Sequence, residues 1–143
     1  MRPLLALLLI TFVFGAKFLE EKKNDGYPIT FEILEENSAK ITNYKANPTS
    51  IIPGGNIEFK MQYQATQHLT IQKLFLDTVA DGVSLFTDNV PIGKTYEEGD
   101  KDVTGYSASI PSFCPPGSWD IFLYLKDDQD KNAAILKAHF DIQ

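Results

Sequence analysis

Few side chains in this sequence are of types that do chemistry, and their spacing does not gather them. His139 falls on the polar side of an alternating run and His68, beside Gln67, opens another, so both read as surface residues. A metal site takes three or four protein ligands, and no His/Cys/carboxylate cluster offers them. The single cysteine, Cys114, lies in Ser112-Phe113-Cys114-Pro115-Pro116-Gly117, a proline-rich loop with no group to orient a thiolate–histidine pair. A free, partly buried thiol is expected there, or one that pairs between chains if the protein is secreted. The densest acidic run, Glu97, Glu98, Asp100 and Asp102, lacks the glycine and glutamate spacing of a calcium loop and reads as a solvated loop. There is no Gly-x-Ser-x-Gly elbow and no phosphate loop, and Pro48 blocks the acceptor pattern of Asn47-Pro48-Thr49. The expectation is a protein with no enzymatic activity, no cofactor and no metal.

Binding is the remaining class, and charge narrows it. The 143 residues carry a net charge of −6. Arg2 and the apolar stretch Leu4 to Phe14 have the form of a secretory leader, cut near Gly15–Ala16 and too short for the about 20 apolar residues that span a bilayer. Residues 1–15 are thus expected to be a signal peptide and 16–26 a flexible lead ending in Asn24-Asp25-Gly26. The protein would reach the outside or the endolysosomal lumen. Losing the leader removes the only arginine and leaves twelve lysines against nineteen acids, a net charge of −7. An arginine-free acidic chain is a poor nucleic-acid binder, and it should not adsorb to anionic lipid by charge alone.

The elements that must position any site follow a period of two. Ile57, Phe59, Met61 and Tyr63 alternate with Glu58, Lys60, Gln62 and Gln64, the pattern of a sheet with one dry face. Ile29 to Ile33 and Lys40 to Lys45 read as earlier strands, Leu69 to Val79 as a more apolar one, and Val83 to Phe86 as a short one. Asp88 to Asp102 reads as a long polar connection, suited to a Greek-key crossover. Val103 to Ile110 is a further strand. Trp119 to Leu125 and Leu136 to Ile142 alternate around the turn Asp127–Asn132, as in a hairpin. Seven or eight short strands in one domain, 27–143, point to an all-β, immunoglobulin-like antiparallel sandwich of two sheets, with a closed barrel as the alternative. Aromatic residues make up 12% of the chain. Such bulky side chains can close a core or line a hollow one, and periodicity does not separate the two.

The C-terminal third carries a resemblance. Ser109-Ile110-Pro111-Ser112-Phe113, then Pro115-Pro116-Gly117-Ser118-Trp119-Asp120-Ile121, the Asp-rich turn and the final strand to Ile142 resemble the ML family of lipid-recognition domains. That family includes the Niemann–Pick type C sterol carrier, the ganglioside activator and fungal phosphatidylglycerol/phosphatidylinositol transfer proteins. Pro48 and Pro53-Gly54-Gly55 before the Ile57–Tyr63 strand add to the match. The family's usual cysteines, near the positions of Pro48 and Leu136, are missing. The resemblance implies two sheets splayed at one edge with an apolar cavity between them, and a lipid, sterol or phospholipid, held there for transfer. Phe59, Met61, Tyr63, Phe75, Tyr106, Ile110, Phe113, Trp119, Ile121 and Phe140 would line it, with Lys73, Cys114 and Pro115 at the rim. The protein would act as a monomer, delivering to a membrane surface or a receptor. The alternative is an immunoglobulin-like protein–protein interaction module with a closed core.

Overall fold

A computed structural model describes residues 26–143. The expected signal peptide, 1–15, and all of the expected lead but Gly26 lie outside the described residues. Ten strands follow in order: β1 Tyr27–Pro28, β2 Thr30–Glu36, β3 Ala39–Asn47, β4 Ser50–Ile51, β5 Asn56–Ala65, β6 Leu69–Ala80, β7 Val83–Tyr96, β8 Lys101–Ser109, β9 Gly117–Asp127 and β10 Asn132–Ile142. All pairings are antiparallel. The large sheet has the order β2-β10-β9-β6-β7, the small sheet β3-β5-β8, and β1 pairs with β4 beside them.

The alternation in the sequence is what builds the core. On β5, Ile57, Phe59, Met61, Tyr63 and Ala65 are all buried, and they meet Ile71, Leu74, Leu76, Leu123, Leu125, Leu136 and Ala138 from the large sheet. The two sheets thus form the expected sandwich, and the barrel alternative falls, because β2 and β7 remain open edges. Burying these faces is the main stabilising term. It does so without any disulfide, since Cys114 is a free thiol.

Two hairpins and four crossings connect the layers. The β6–β7 turn is Asp81-Gly82, both with positive φ (49° and 82°), the two-residue form whose twist suits a hairpin. The β9–β10 turn uses Asp127, whose carboxylate accepts from the backbone N–H groups of Gln129 and Lys131 at 2.9 and 2.8 Å.

The structure corrects the reading of Asp88–Asp102 as a connection. Strand β7 runs unbroken through Pro91 to Tyr96, and only the tight turn 97–100 separates it from β8. The segment looked like a loop because it is an edge strand. Pro91 is tolerated where no further strand needs its missing N–H, and Gly93 (φ 61°) sits where β7 carries one extra residue against β6. Val90 and Ile92 still pack against the core. The crossover expected within this stretch is instead a hairpin, β6–β7, followed by a short step to the small sheet.

Candidate functional site: an apolar cavity at one end of the sandwich

The two ends of the sandwich are built differently. At the end near the turn 97–100, the sheets are closed by tyrosines. Tyr96, on β7, donates to Asp102 Oδ2 on β8 at 2.7 Å, which leaves the Tyr63 hydroxyl of β5 to donate to Tyr96 at 2.7 Å. Lys94 Nζ reaches the same carboxylate oxygen at 3.3 Å. Burial raises the Tyr63 and Tyr96 hydroxyls above the ordinary tyrosine range. Burial also works to raise Asp102, but hydrogen bonds from Tyr96, the Val103 backbone and Lys94 outweigh it and hold that carboxyl low.

At the opposite end the walls part and leave a cavity of about 430 Å³. The small sheet supplies Ile57 and Phe59 from β5, and Tyr106, Ala108, Ser109 and Ile110 from β8 and its end. The large sheet supplies Thr78, Leu85, Phe86, Trp119, Ile121, Phe140 and Ile142, and Ile51 of β4 closes one side. Pro111, Phe113, Cys114 and Pro115 come from the loop between β8 and β9. Among the described residues, no charged side chain lines it. The volume falls within the about 300–1,000 Å³ of small-molecule sites.

The polar groups of the two large aromatic side chains at the wall are satisfied away from the cavity. Trp119 stacks on Phe140 with ring centroids 5.9 Å apart, and its indole N–H donates to the Pro115 carbonyl at 3.0 Å. Tyr106 turns its hydroxyl out of the cavity and donates to Asp88 Oδ2 at 3.0 Å. Burial first, then Asp88, pushes the Tyr106 hydroxyl up to about 12. The mouth is held by Gly117, where a Cβ would run into the Asp81 carboxylate. That carboxylate accepts from the Ser118 N–H at 3.0 Å, while the Asp81 N–H donates to the Ser118 carbonyl at 2.8 Å. The Pro-Pro-Gly bend thus ties the β6–β7 turn to the start of β9. Around the opening, large apolar side chains face water: Phe113 is 75% exposed, Leu85 55% and Phe86 54%.

Of the residues expected to line a cavity, the structure brings Phe59, Tyr106, Ile110, Phe113, Trp119, Ile121 and Phe140 together here, with Cys114 and Pro115 beside them. Met61 and Tyr63 are on the same face of β5 but deeper, sealed in the packed half at 0% and 1% exposure. Phe75 and Lys73 are elsewhere. A register shift between Ile71 and Lys73 turns Leu74 and Leu76 inward and sends Lys73 and Phe75 to the outer face. There Phe75 packs on Tyr124 at 5.8 Å and Lys73 Nζ lies 6.0 Å from the Phe75 ring. The expected placing of Lys73 at the rim is therefore corrected. Sequence reasoning missed Ile51, Thr78, Ala108, Ser109, Pro111, Leu85, Phe86, Ile57 and Ile142. The last two were within reach, each two residues from an identified lining residue on an alternating strand.

Burial raises the Cys114 thiol, which favours the unreactive protonated form. Neither histidine lines the cavity: His68 meets Glu97 at 2.9 Å on the surface, and His139 sits on the outer face between Asp120 (2.8 Å) and Asp141 (3.2 Å). Among the described residues, no group of three or more His, Cys, Asp or Glu is placed to hold a metal.

No protein-family model matches the chain. No curated protein sequence matches it either. Solved structures do. A Niemann-Pick type C2 protein from the Japanese carpenter ant superposes with a TM-score of 0.62 at 13% identity, covering 80% of this chain and 99% of that one. The two chains share a fold. The C-terminal domain of wzt follows with a TM-score of 0.55 at 17% identity, covering 82% of this chain and 78% of its own. Spo0M, a sporulation control protein from Bacillus subtilis, gives 0.51 at 9% identity, covering 82% of this chain and 49% of that one. The carpenter ant Niemann-Pick type C2 protein is matched over nearly its whole length, so the likeness extends to the complete two-sheet architecture.

Proposed function

We propose that this chain is a non-catalytic lipid-binding protein that carries the apolar part of a sterol or phospholipid between its two sheets. The observation that carries the reading is the cavity: about 430 Å³, lined among the described residues without a single charged side chain and ringed by exposed apolar residues. Each 100 Å² of ligand surface taken out of water there contributes about 2.5 kcal/mol, without any charged anchor. The fold shared with a Niemann-Pick type C2 protein and the family resemblance of the Ile110–Pro111 and Pro116–Gly117 segments support the same reading. A closed-core interaction module is less consistent with a void of this size.

The test is organic extraction of the purified protein with mass spectrometry of the extract, together with titration of fluorescent sterol and phospholipid analogues. Ala108→Phe, which places a ring in the cavity, should abolish uptake while the protein stays folded. A wild-type protein that holds no lipid and takes up neither analogue overturns the reading. Secretion belongs to the same proposal and rests on the leader-like residues 1–15. Expression in secretory cells should release a product beginning near Ala16, and retention of the intact N-terminus inside the cell would refute it.

A further inference from the structure

The outer face of the small sheet is chemically unlike the rest of this acidic molecule. Its rows can be read from the register. Lys40 lies opposite Gln64, which lies opposite Lys101. Asn43, Gln62 and Val103 form the next row, and Lys45, Lys60 and Gly105 the one after. Asn47, Glu58 and Ser107 complete it. Four of the nine lysines among the described residues therefore stand on one face with a single acid, Glu58, while the whole chain has a net charge of −6. All four are exposed, and none has a carboxylate within salt-bridge distance among the described residues.

Lys45 and Lys60 are the telling pair. They are directly opposite across β3 and β5, where like charges with Cβ atoms about 5 Å apart destabilise a sheet. Gly105, on the other side of Lys60, has no side chain to cover the lysine stem, and a Cβ there would run into the Phe59 carbonyl oxygen at 2.6 Å. Asn43 and Gln62 border the same shallow groove. The Asn43 carbonyl oxygen is engaged by the Tyr44 N–H at 2.8 Å, so its amide N–H₂ remains to donate outward. Lys45, Lys60, Asn43 and Gln62 thus border one groove, and among the described residues neither lysine has a carboxylate within salt-bridge distance.

The geometry points to this face as the docking surface for an acidic protein partner, engaged transiently and mainly by charge. Three strands of about nine residues present about 14 Å by 30 Å, roughly 400 Å², well under the about 800 Å² that each side of a stable complex buries. A face this small, polar and cationic matches a salt-sensitive encounter with a carboxylate-rich surface, which gains in association rate more than in lifetime. Among the described residues, Val103 and the rim residue Tyr44 are the large apolar side chains exposed at this groove, and Tyr44 packs on Phe31 at 4.9 Å, so the face offers a bilayer little to anchor on. The proposal is independent of the lipid reading, because the face lies outside the cavity.

The experiment titrates fluorescently labelled poly-L-glutamate into the full chain at low and at physiological salt. Binding should weaken at least tenfold as salt rises, and at least tenfold again in Lys45→Glu/Lys60→Glu. Lys73→Glu/Lys126→Glu changes the net charge equally on the opposite sheet and should stay within twofold of wild type. The milder Lys45→Gln/Lys60→Gln should show the same direction and melt no lower than wild type, since it relieves a repulsion. Absence of binding at low salt, equal losses in the two charge-reversed variants, or binding to phosphatidylserine vesicles but not to poly-glutamate would overturn the proposal.

Discussion

Tyr106, on the last strand of the small sheet, donates its hydroxyl to Asp88 on the edge of the large sheet at 3.0 Å. Among the described residues, no side-chain hydrogen bond joins β7 to β8 nearer the mouth. This contact therefore marks where the closed half of the sandwich ends and the cavity begins. Tyr106→Phe keeps the ring in the cavity wall and removes only the tie. It should cost about 1 kcal/mol, because both groups are partly solvated, and so lower the melting temperature by about 4 °C. Asp88→Asn retains an acceptor oxygen and should lose less. Thermal unfolding of the two variants orders them, and equal losses would show that the hydrogen bond is not what matters.

The tyrosine pair at the other end predicts an asymmetry. Tyr63→Phe removes one hydrogen bond and leaves Tyr96 donating to Asp102. Tyr96→Phe removes both and strands the Tyr63 hydroxyl in a residue only 1% exposed. An unsatisfied buried group costs about 1–3 kcal/mol, so Tyr96→Phe should be clearly the worse of the two in denaturant unfolding.

His139 gives a pH dependence with a definite sign. Its hydrogen bond to Asp120 is the main cause of a pKa raised above the ordinary 6.5, with Asp141 adding to it and partial burial opposing. The stabilisation is fully present below the unfolded value of about 6.5 and is lost as pH rises through the higher folded value. The melting temperature should fall across that window. Asp120→Asn should flatten the slope, and an unchanged slope in that variant would remove the pair as its source.

Gly117 offers a test of the mouth. Its φ of 142° and the Asp81 carboxylate, which stands where a Cβ would go, leave no place for a side chain. Gly117→Ala should destabilise by about 1–3 kcal/mol. It should also loosen the tie from Asp81 to Ser118, accelerating release of a bound fluorescent lipid analogue in stopped-flow exchange. A variant with wild-type release rates would separate this bend from control of the opening.

How much of this could be read in advance depended on whether a strand announced both of its faces. Strand β5 did so, with clean alternation from Ile57 to Tyr63, and its inward residues are the spine of the core. Trp119, Ile121 and Phe140 were recoverable for the same reason. Phe75 was misplaced because an irregular step near Gln72 shifts the phase of β6, and nothing local marks it. The extent of β7 was hidden because an edge strand needs only one partner, so Pro91, Gly93 and polar residues fit without breaking it. Phe86 and Leu85 could not be assigned to the opening until the β6–β7 hairpin was known to reach it. The basic face of the small sheet was masked by the net charge, which averages over all sides of the molecule.

The hollow at one end also grades the rigidity of the molecule along its length. Near Tyr63 and Tyr96, side chains from both sheets fill the interior and hold one another. Near Phe86 and Ile110, part of that filling is missing. A guest that occupies the space acts as a removable piece of core, so occupancy and local order rise together. Amide exchange should then be slow at the tyrosine end whatever the state of the cavity, while the β6–β7 tip and the loop 110–116 gain protection only when it is full.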